Sequence, residues 1–236
     1  MIIFPAIDIK DNKCVRLLQG DFDKVNIYGN DPSIMAKKWQ DKGAKFIHMV
    51  SLNGARGEGN INDESIRKVL DTVNIPIQIG GGIRSKERVK QLLNMGVNRV
   101  IVGSMAIKNK DLLKELVNKY KEKIVVSIDA KNNKVAVEGW EELSNVNSVE
   151  LCKELEKIGV TTIVYTDISK DGMLIGPNFD IYEKLSKETN LDIIASGGIS
   201  SIEDIKKLKD MNLYGAIIGK ALYENKIELK EVLSLC

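Results

Sequence analysis

The chain of 236 residues contains one histidine, His48, so histidine triads and multi-histidine metal centres have nothing to be built from. His48 itself reads as a structural residue. The three cysteines, Cys14, Cys152 and Cys236, are odd in number and far apart, which argues against both a disulfide framework and a zinc cluster. An excess of one charge is missing as well. Lys and Arg total 35 against 33 Asp and Glu, a net charge of +2, and the lysines are scattered along polar faces rather than gathered in a block. No nucleic acid and no membrane are therefore expected as partners. The apolar opening from Met1 to Ile7 is stopped by Asp8 and is too short to cross a bilayer, so it reads as a buried strand, and a cytoplasmic location is expected. No proline- or serine-rich linker divides the chain, which predicts a single domain over residues 1–236.

Glycine, in contrast, recurs in matched settings. Two stretches, Ile75 to Tyr120 and Leu191 to Glu224, share a series of matching positions at a constant offset of 116 residues (81 to 197). Gly81-Gly82-Ile83 falls on Gly197-Gly198-Ile199, Ser85 on Ser201, Glu87 on Glu203, Leu92 on Leu208, Met95 on Met211 and Gly103 on Gly219. Each copy reads as a strand, a glycine turn, an amphipathic helix, a second strand and another glycine turn, so the chain consists of two related halves. Glycine lets backbone N–H groups approach an anion closely. Gly81, Gly82, Gly103 and Ser104 in one half, and Gly197, Gly198, Gly219 and Lys220 in the other, thus predict two phosphate sites across one mouth.

Eight short apolar runs alternate with helical patterns: Ile2–Ile7, Phe46–Val50, Ile77–Ile79, Arg99–Val102, Ile124–Ile128, Thr161–Tyr165, Asp192–Ala195 and Ala216–Ile218. Alternating strands and helices make a parallel sheet, and eight strands close it, which predicts an α/β fold, a (β/α)8 TIM barrel built from two duplicated half-barrels. The longest irregular stretches, Ile9 to Asn30 and Ala130 to Val146, follow the first and fifth strands and are expected to carry function.

A second correspondence sets Ile7-Asp8-Ile9-Lys10 against Ile128-Asp129-Ala130-Lys131, an offset of 121 (8 to 129). Both aspartates end an apolar strand, and strands 1 and 5 of a barrel end on opposite sides of the mouth, so Asp8 and Asp129 are candidates for an acid/base pair. Thr166 and Asp167 after the sixth strand are expected to project at the mouth, within reach of Asp129 or a ligand. Asp171-Gly172 suits either a ligand contact or an ordinary turn. Arg16 and Gln19 in the first loop could reach across a substrate, and Trp140 in the fifth could stack on a heterocycle or pin its loop to the rim. No metal site is expected from these carboxylates.

Taken together, these residues resemble the histidine-biosynthesis isomerases that act on phosphoribosylformimino-aminoimidazole carboxamide ribonucleotide. The likeness covers essentially the whole chain. It rests on Pro5-Ala6-Ile7-Asp8, Cys14-Val15-Arg16-Leu17 with Gln19-Gly20, Gly80-Gly81-Gly82-Ile83-Arg84, Ser127-Ile128-Asp129-Ala130, Thr166-Asp167-Ile168 with Lys170-Asp171-Gly172, Ser196-Gly197-Gly198-Ile199 and Ile218-Gly219-Lys220-Ala221-Leu222. The resemblance implies an Amadori rearrangement of an aminoaldose to an aminoketose, without a cofactor, on a small-molecule bisphosphate. It implies Asp8 as the general base at C2 of the opened ribose, Asp129 as the general acid at the ring oxygen, Thr166 in support of that acid, and Trp140 in the loop that covers the substrate. A monomer is expected.

Ser51 departs from the family pattern, which has an aspartate there, and from the internal repeat, since its counterpart at an offset of 116 is Asp167. Ser51 is expected to contact substrate, and restoring a carboxylate there is expected to raise kcat/KM. Three alternatives keep the same architecture: the homologous cyclase that makes imidazole glycerol phosphate, an isomerase that also accepts phosphoribosylanthranilate, and a weakened bisphosphate-binding homologue. Pro5-Ala6-Ile7-Asp8 differs from the Cys-Leu-Asp usual in the first strand of the cyclase.

Overall fold

The computed structural model describes residues 1–18, 20–140 and 142–236. Among them are twelve strands: β1 (Ile2–Lys10), β2 (Lys13–Leu18), β3 (Asp21–Gly29), β4 (Ile47–Ser51), β5 (Ile77–Gly80), β6 (Arg99–Val102), β7 (Ile124–Lys131), β8 (Lys134–Val137), β9 (Glu142–Asn147), β10 (Thr162–Asp167), β11 (Asp192–Ser196) and β12 (Gly215–Ile218). Eight of them pair in parallel in the order β1-β4-β5-β6-β7-β10-β11-β12, and β12 pairs back onto β1, which closes the barrel. The helices are α1 (Pro32–Asp41), α2 (Leu52–Ala55), α3 (Asp63–Thr72), α4 (Lys86–Met95), α5 (Met105–Lys108), α6 (Lys110–Tyr120), α7 (Ser148–Ile158), α8 (Phe179–Glu188), α9 (Ile202–Asp210), α10 (Lys220–Tyr223) and α11 (Leu229–Ser234). This is the (β/α)8 TIM barrel that the alternation of patterns predicts.

Side chains alternate between two cores because successive Cβ atoms of a strand point to opposite faces. Phe4, Ala6, Phe46, Ile101, Val125, Val164, Ile194 and Ile217 fill the barrel interior. Ile3, Ile7, Ile47, Met49, Val126, Ile128 and Ile163 point outward, into a larger core shared with the helices. Helix ends follow their sequence signals. Asp31 caps α1 ahead of Pro32, Ser201 and Asp204 form a reciprocal capping box on α9, and Gly96 and Gly159 end α4 and α7 in the left-handed conformation.

The two stretches expected to be irregular are instead β-ribbons. β2 pairs antiparallel with β1 and with β3, and β8 does the same with β7 and β9. Val15 and Leu17 flank the polar Arg16, the period of a ribbon with one apolar face, whereas Val135, Ala136 and Val137 are all buried, so the second ribbon carries no such alternation. The base of the first ribbon is bolted to α2 and α3. Asp11 N–H donates to Asn53 Oδ1 at 2.8 Å, Asn12 N–H donates to Asn62 Oδ1 at 2.9 Å, and Ser65 donates to the Asn12 side chain at 2.8 Å.

The paired glycines are dictated by packing as well as by the mouth they line. A Cβ on Gly82 (φ +69°) would sit 1.8 Å from the Gly54 carbonyl oxygen, and one on Gly198 (φ +85°) would sit 2.4 Å from that of Gly176. Gly82→Ala therefore meets backbone as well as an unfavourable φ, whereas Gly59→Ala (φ +83°, nothing within 4 Å) meets only the latter. Urea unfolding should show Gly82→Ala costing roughly 3 kcal/mol or more and Gly59→Ala about 1–2 kcal/mol. Equal losses would mean that the neighbouring loop yields to the added methyl.

Candidate active site

The inward face of each strand ends at one cavity in the mouth of the barrel. On β1 the inward series Phe4, Ala6, Asp8 carries the aspartate from the packed interior to the cavity wall, and on β7 the series Val125, Ser127, Asp129 does the same. Arg16, Gly81, Gly82, Gly103, Ser104, Trp140, Thr166, Asp171, Gly197, Gly198, Gly219 and Lys220 line the same cavity, so the structure brings fourteen of the sequence-selected residues together, Asp8 and Asp129 included. Gln19 lies outside the described residues.

The carboxylates sit in unlike surroundings. Burial pushes the Asp8 carboxyl up to about 6, against the pull of the Arg16 guanidinium 2.8 Å away and with a further push from Asp171. Asp129 is also raised by burial, while hydrogen bonds from the Trp140 indole and from Thr166, its register partner on β10, hold it down. Asp171 is raised by burial and moderated by Arg16 and Lys220. Lys220 donates to the Gly172 carbonyl at 2.9 Å, which ties the loop after β10 to the start of α10. One carboxyl thus stands in an ion pair and the other among neutral donors, a separation of environments that suits distinct proton-transfer roles.

Trp140 closes the cavity from above. Its φ of +77° is a strained conformation for an aromatic residue, and its ring lies where a Cβ on Gly20 would fall, 2.3 Å from the nearest ring carbon. The indole therefore touches the first ribbon and Asp129 at once. At the rim, α5 and α10 begin at Ser104 and Gly219 with no side-chain cap; the Ala106 and Leu222 N–H groups donate back to the Gly103 and Gly219 carbonyls, so that only the N–H groups ahead of them can serve an anion at the cavity wall. The glycine turns before α4 and α9 face the same two places. Among the described residues, no group of three or more His, Cys, Asp or Glu is placed to hold a metal ion.

Ser51 and Asp167 do not reach the cavity, because both lie on the outward face of their strands. On β4 the inward residues are Phe46, His48 and Val50; on β10 they are Val164 and Thr166. Adjacent strand residues such as Thr166 and Asp167 cannot both face the mouth. Ser51 Oγ accepts from Asn62 Nδ2 at 3.0 Å and from Gly54 N–H at 3.4 Å. Asp167 accepts from Asn178 Nδ2 at 2.7 Å and from the backbone and hydroxyl of Ser169 at 2.9 and 2.6 Å. Asn62 and Asn178, like Ser51 and Asp167, are related by the repeat, so the two positions perform one loop-anchoring task with different chemistry. Ser51 thus stands outside the cavity lining.

Conversely, His48, Ser127, Ser196 and Arg84 line the cavity without having been selected from the sequence. Counting back two residues from Asp129 and from Val50 finds Ser127 and His48, a signal that the strand period carries.

The family model described as Histidine biosynthesis protein matches residues 2–228 of the chain. A protein of Clostridioides difficile (strain 630), named 1-(5-phosphoribosyl)-5-((5-phosphoribosylamino)methylideneamino) imidazole-4-carboxamide isomerase, is 67% identical over 100% of this chain and 98% of its own length. Proteins of the same name from Bacillus cereus (strain G9842) and Lachnoclostridium phytofermentans are 52% and 49% identical, each over 100% of this chain and 98% and 99% of their own lengths.

Ser51 is buried, 3% exposed, and accepts only from Asn62 and the Gly54 N–H, so its surroundings offer a carboxylate little compensation for lost hydration. Ser51→Asp should leave kcat/KM within about twofold of wild type and lower stability by roughly 1–3 kcal/mol in chemical denaturation. A clear gain in kcat/KM would restore the expectation drawn from the family pattern.

Proposed function

The chain belongs to the histidine biosynthesis protein family, and on that premise we propose how its cavity carries out the isomerisation for which its relatives are named. It is an isomerase of the aldose–ketose type, acting in histidine biosynthesis by an Amadori rearrangement. The observation that carries the assignment of roles is the pair of buried, repeat-related carboxyls, Asp8 and Asp129, raised by burial and lining one cavity.

Asp129, its carboxyl raised by burial and engaged by Thr166, gives a proton to the ribose ring oxygen as the C1–O bond breaks and the amine lone pair forms the C1=N bond. Asp8, ionised beside Arg16, removes the proton from C2, and the electron pair forms the C1=C2 enolamine. Return of a proton to C1 and loss of one from the C2 hydroxyl gives the aminoketose and restores both carboxyls. Every step is a proton transfer. The two phosphates fit the two glycine-lined rims, one at Gly82, Gly103 and Ser104 and the other at Gly198, Gly219 and Lys220, so that the reacting ribose lies between the aspartates. Trp140, already resting on Asp129 and Gly20, is placed to cover the bound heterocycle and exclude water.

Asp8→Asn and Asp129→Asn should each lower kcat by roughly 10² or more while substrate still binds. In the wild-type enzyme the acid limb of kcat/KM should fall near pH 6, because the base must be ionised and Asp8 titrates at about 6. Arg16→Ala removes the influence that lowers Asp8, so its limb should move to higher pH. An acid limb near the ordinary carboxylate range, unmoved in Arg16→Ala, would remove Asp8 from the role of base.

A further inference from the structure

Below the mouth, the barrel interior holds a row of polar side chains that the proton transfers leave unused. His48 and Gln78 are register partners on β4 and β5. Gln78 is fully buried, and its Nε2 lies 3.1 Å from His48 Nδ1. On the next strand the register partner of Gln78 is Arg99. The Arg99 guanidinium donates to the Tyr214 hydroxyl at 2.6 Å and lies over the rings of Phe46 and Tyr214. Two buried atoms in this row have no hydrogen-bond partner, the Gln78 Oε1 acceptor and the Arg99 Nη1 donor.

These neighbours decide which way the Gln78 amide points. A carbonyl oxygen on the side of a cationic guanidinium is favoured, whereas the amide NH2 there would set donors against donors. Oε1 therefore belongs on the Arg99 side and Nε2 on the His48 side. An amide nitrogen only donates, so His48 Nδ1 must accept, and the ring proton resides on Nε2. With Nδ1 engaged, Nε2 is the nitrogen left for the cavity that His48 lines. Burial keeps the ring neutral, pushing its pKa down to about 3, and the positive charge of Arg16 acts in the same direction.

We propose that Gln78 is a positioning residue that locks His48 as the neutral Nε2–H tautomer, so that the imidazole presents a fixed hydrogen-bond donor to an oxygen of the substrate. The substrate half of this statement rests on the isomerase reading; the tautomer half does not. A neutral imidazole that resists protonation is unsuited to shuttle protons at physiological pH, so its part is recognition, with the orientation set from the barrel interior rather than from the rim.

His48 is the only histidine of the chain, so nitrogen-15 NMR of histidine-labelled protein reads this one ring. Near neutral pH the wild-type spectrum should show a protonated Nε2 and an unprotonated Nδ1. Gln78→Glu places an acceptor-only carboxylate against Nδ1 and should draw the proton there, with kcat/KM falling about tenfold, chiefly through KM. His48→Gln, whose terminal amide can donate from near the Nε2 position, should retain more activity than His48→Asn. A wild-type ring protonated on Nδ1, or on both nitrogens, would overturn the proposal without any variant having to fold. So would Gln78→Glu with a switched tautomer and unchanged kcat/KM. A wild-type protein that binds but does not convert the aminoaldose would defeat the isomerase reading and the donor role together, while the spectrum alone would still judge the tautomer.

Discussion

Closure of eight parallel strands forces every second side chain of each strand into a shared interior, and the chemistry of this protein depends on what stands at the last inward position. Phe4 and Ala6 below Asp8, and Val125 and Ser127 below Asp129, fix the height and direction of the two carboxyls as firmly as the strands themselves are fixed. The same constraint turns Ser51 and Asp167 away. One residue of displacement along a strand separates a group that can touch substrate from one that anchors a loop to the helical layer.

Duplication supplies the second half of the arrangement. Each half-barrel contributes one aspartate from its first strand, one glycine turn before a long helix and one uncapped short helix, and the barrel sets the two contributions across one cavity. The halves have then diverged in charge. Asp8 is paired with Arg16, whereas Asp129 has Trp140 and Thr166. Ser104 in one phosphate rim corresponds to Lys220 in the other, and the Ser51 and Asn53 network corresponds to Asp167 and Ser169. A buried ion pair such as Asp8 with Arg16 contributes little to stability after desolvation; its clear effect is on the ionisation of Asp8, which Arg16 pulls down against burial.

Most of the fold was legible because its signals are local. The eight apolar runs mark the eight barrel strands to within a few residues, and the caps at Asp31, Ser201, Gly96 and Gly159 depend only on their immediate neighbours. The acidic pair and the glycine rims were legible because the repeat singles them out. The ribbons β2–β3 and β8–β9 were missed because the alternation is short in the first and absent from the second, and turn residues such as Asp11-Asn12 and Asn132-Asn133 interrupt both. Ser51 is drawn toward the site by family likeness and Asp167 by its place at the end of the sixth strand, whereas the strand period assigns both to the outer face. As the only histidine of the chain, His48 reads as structural in the sequence; its partner Gln78 lies thirty positions away and meets it only through strand pairing.

The most direct measurement is a crystal structure of the protein with a stable bisphosphate analogue of the aminoaldose. Two half-barrels acting on one substrate predict one phosphate at Gly82, Gly103 and Ser104, the other at Gly198, Gly219 and Lys220, and the ribose C1–C2 bond between the carboxyls of Asp8 and Asp129. Both phosphates held by one half, or a ribose lying away from the two aspartates, would contradict it.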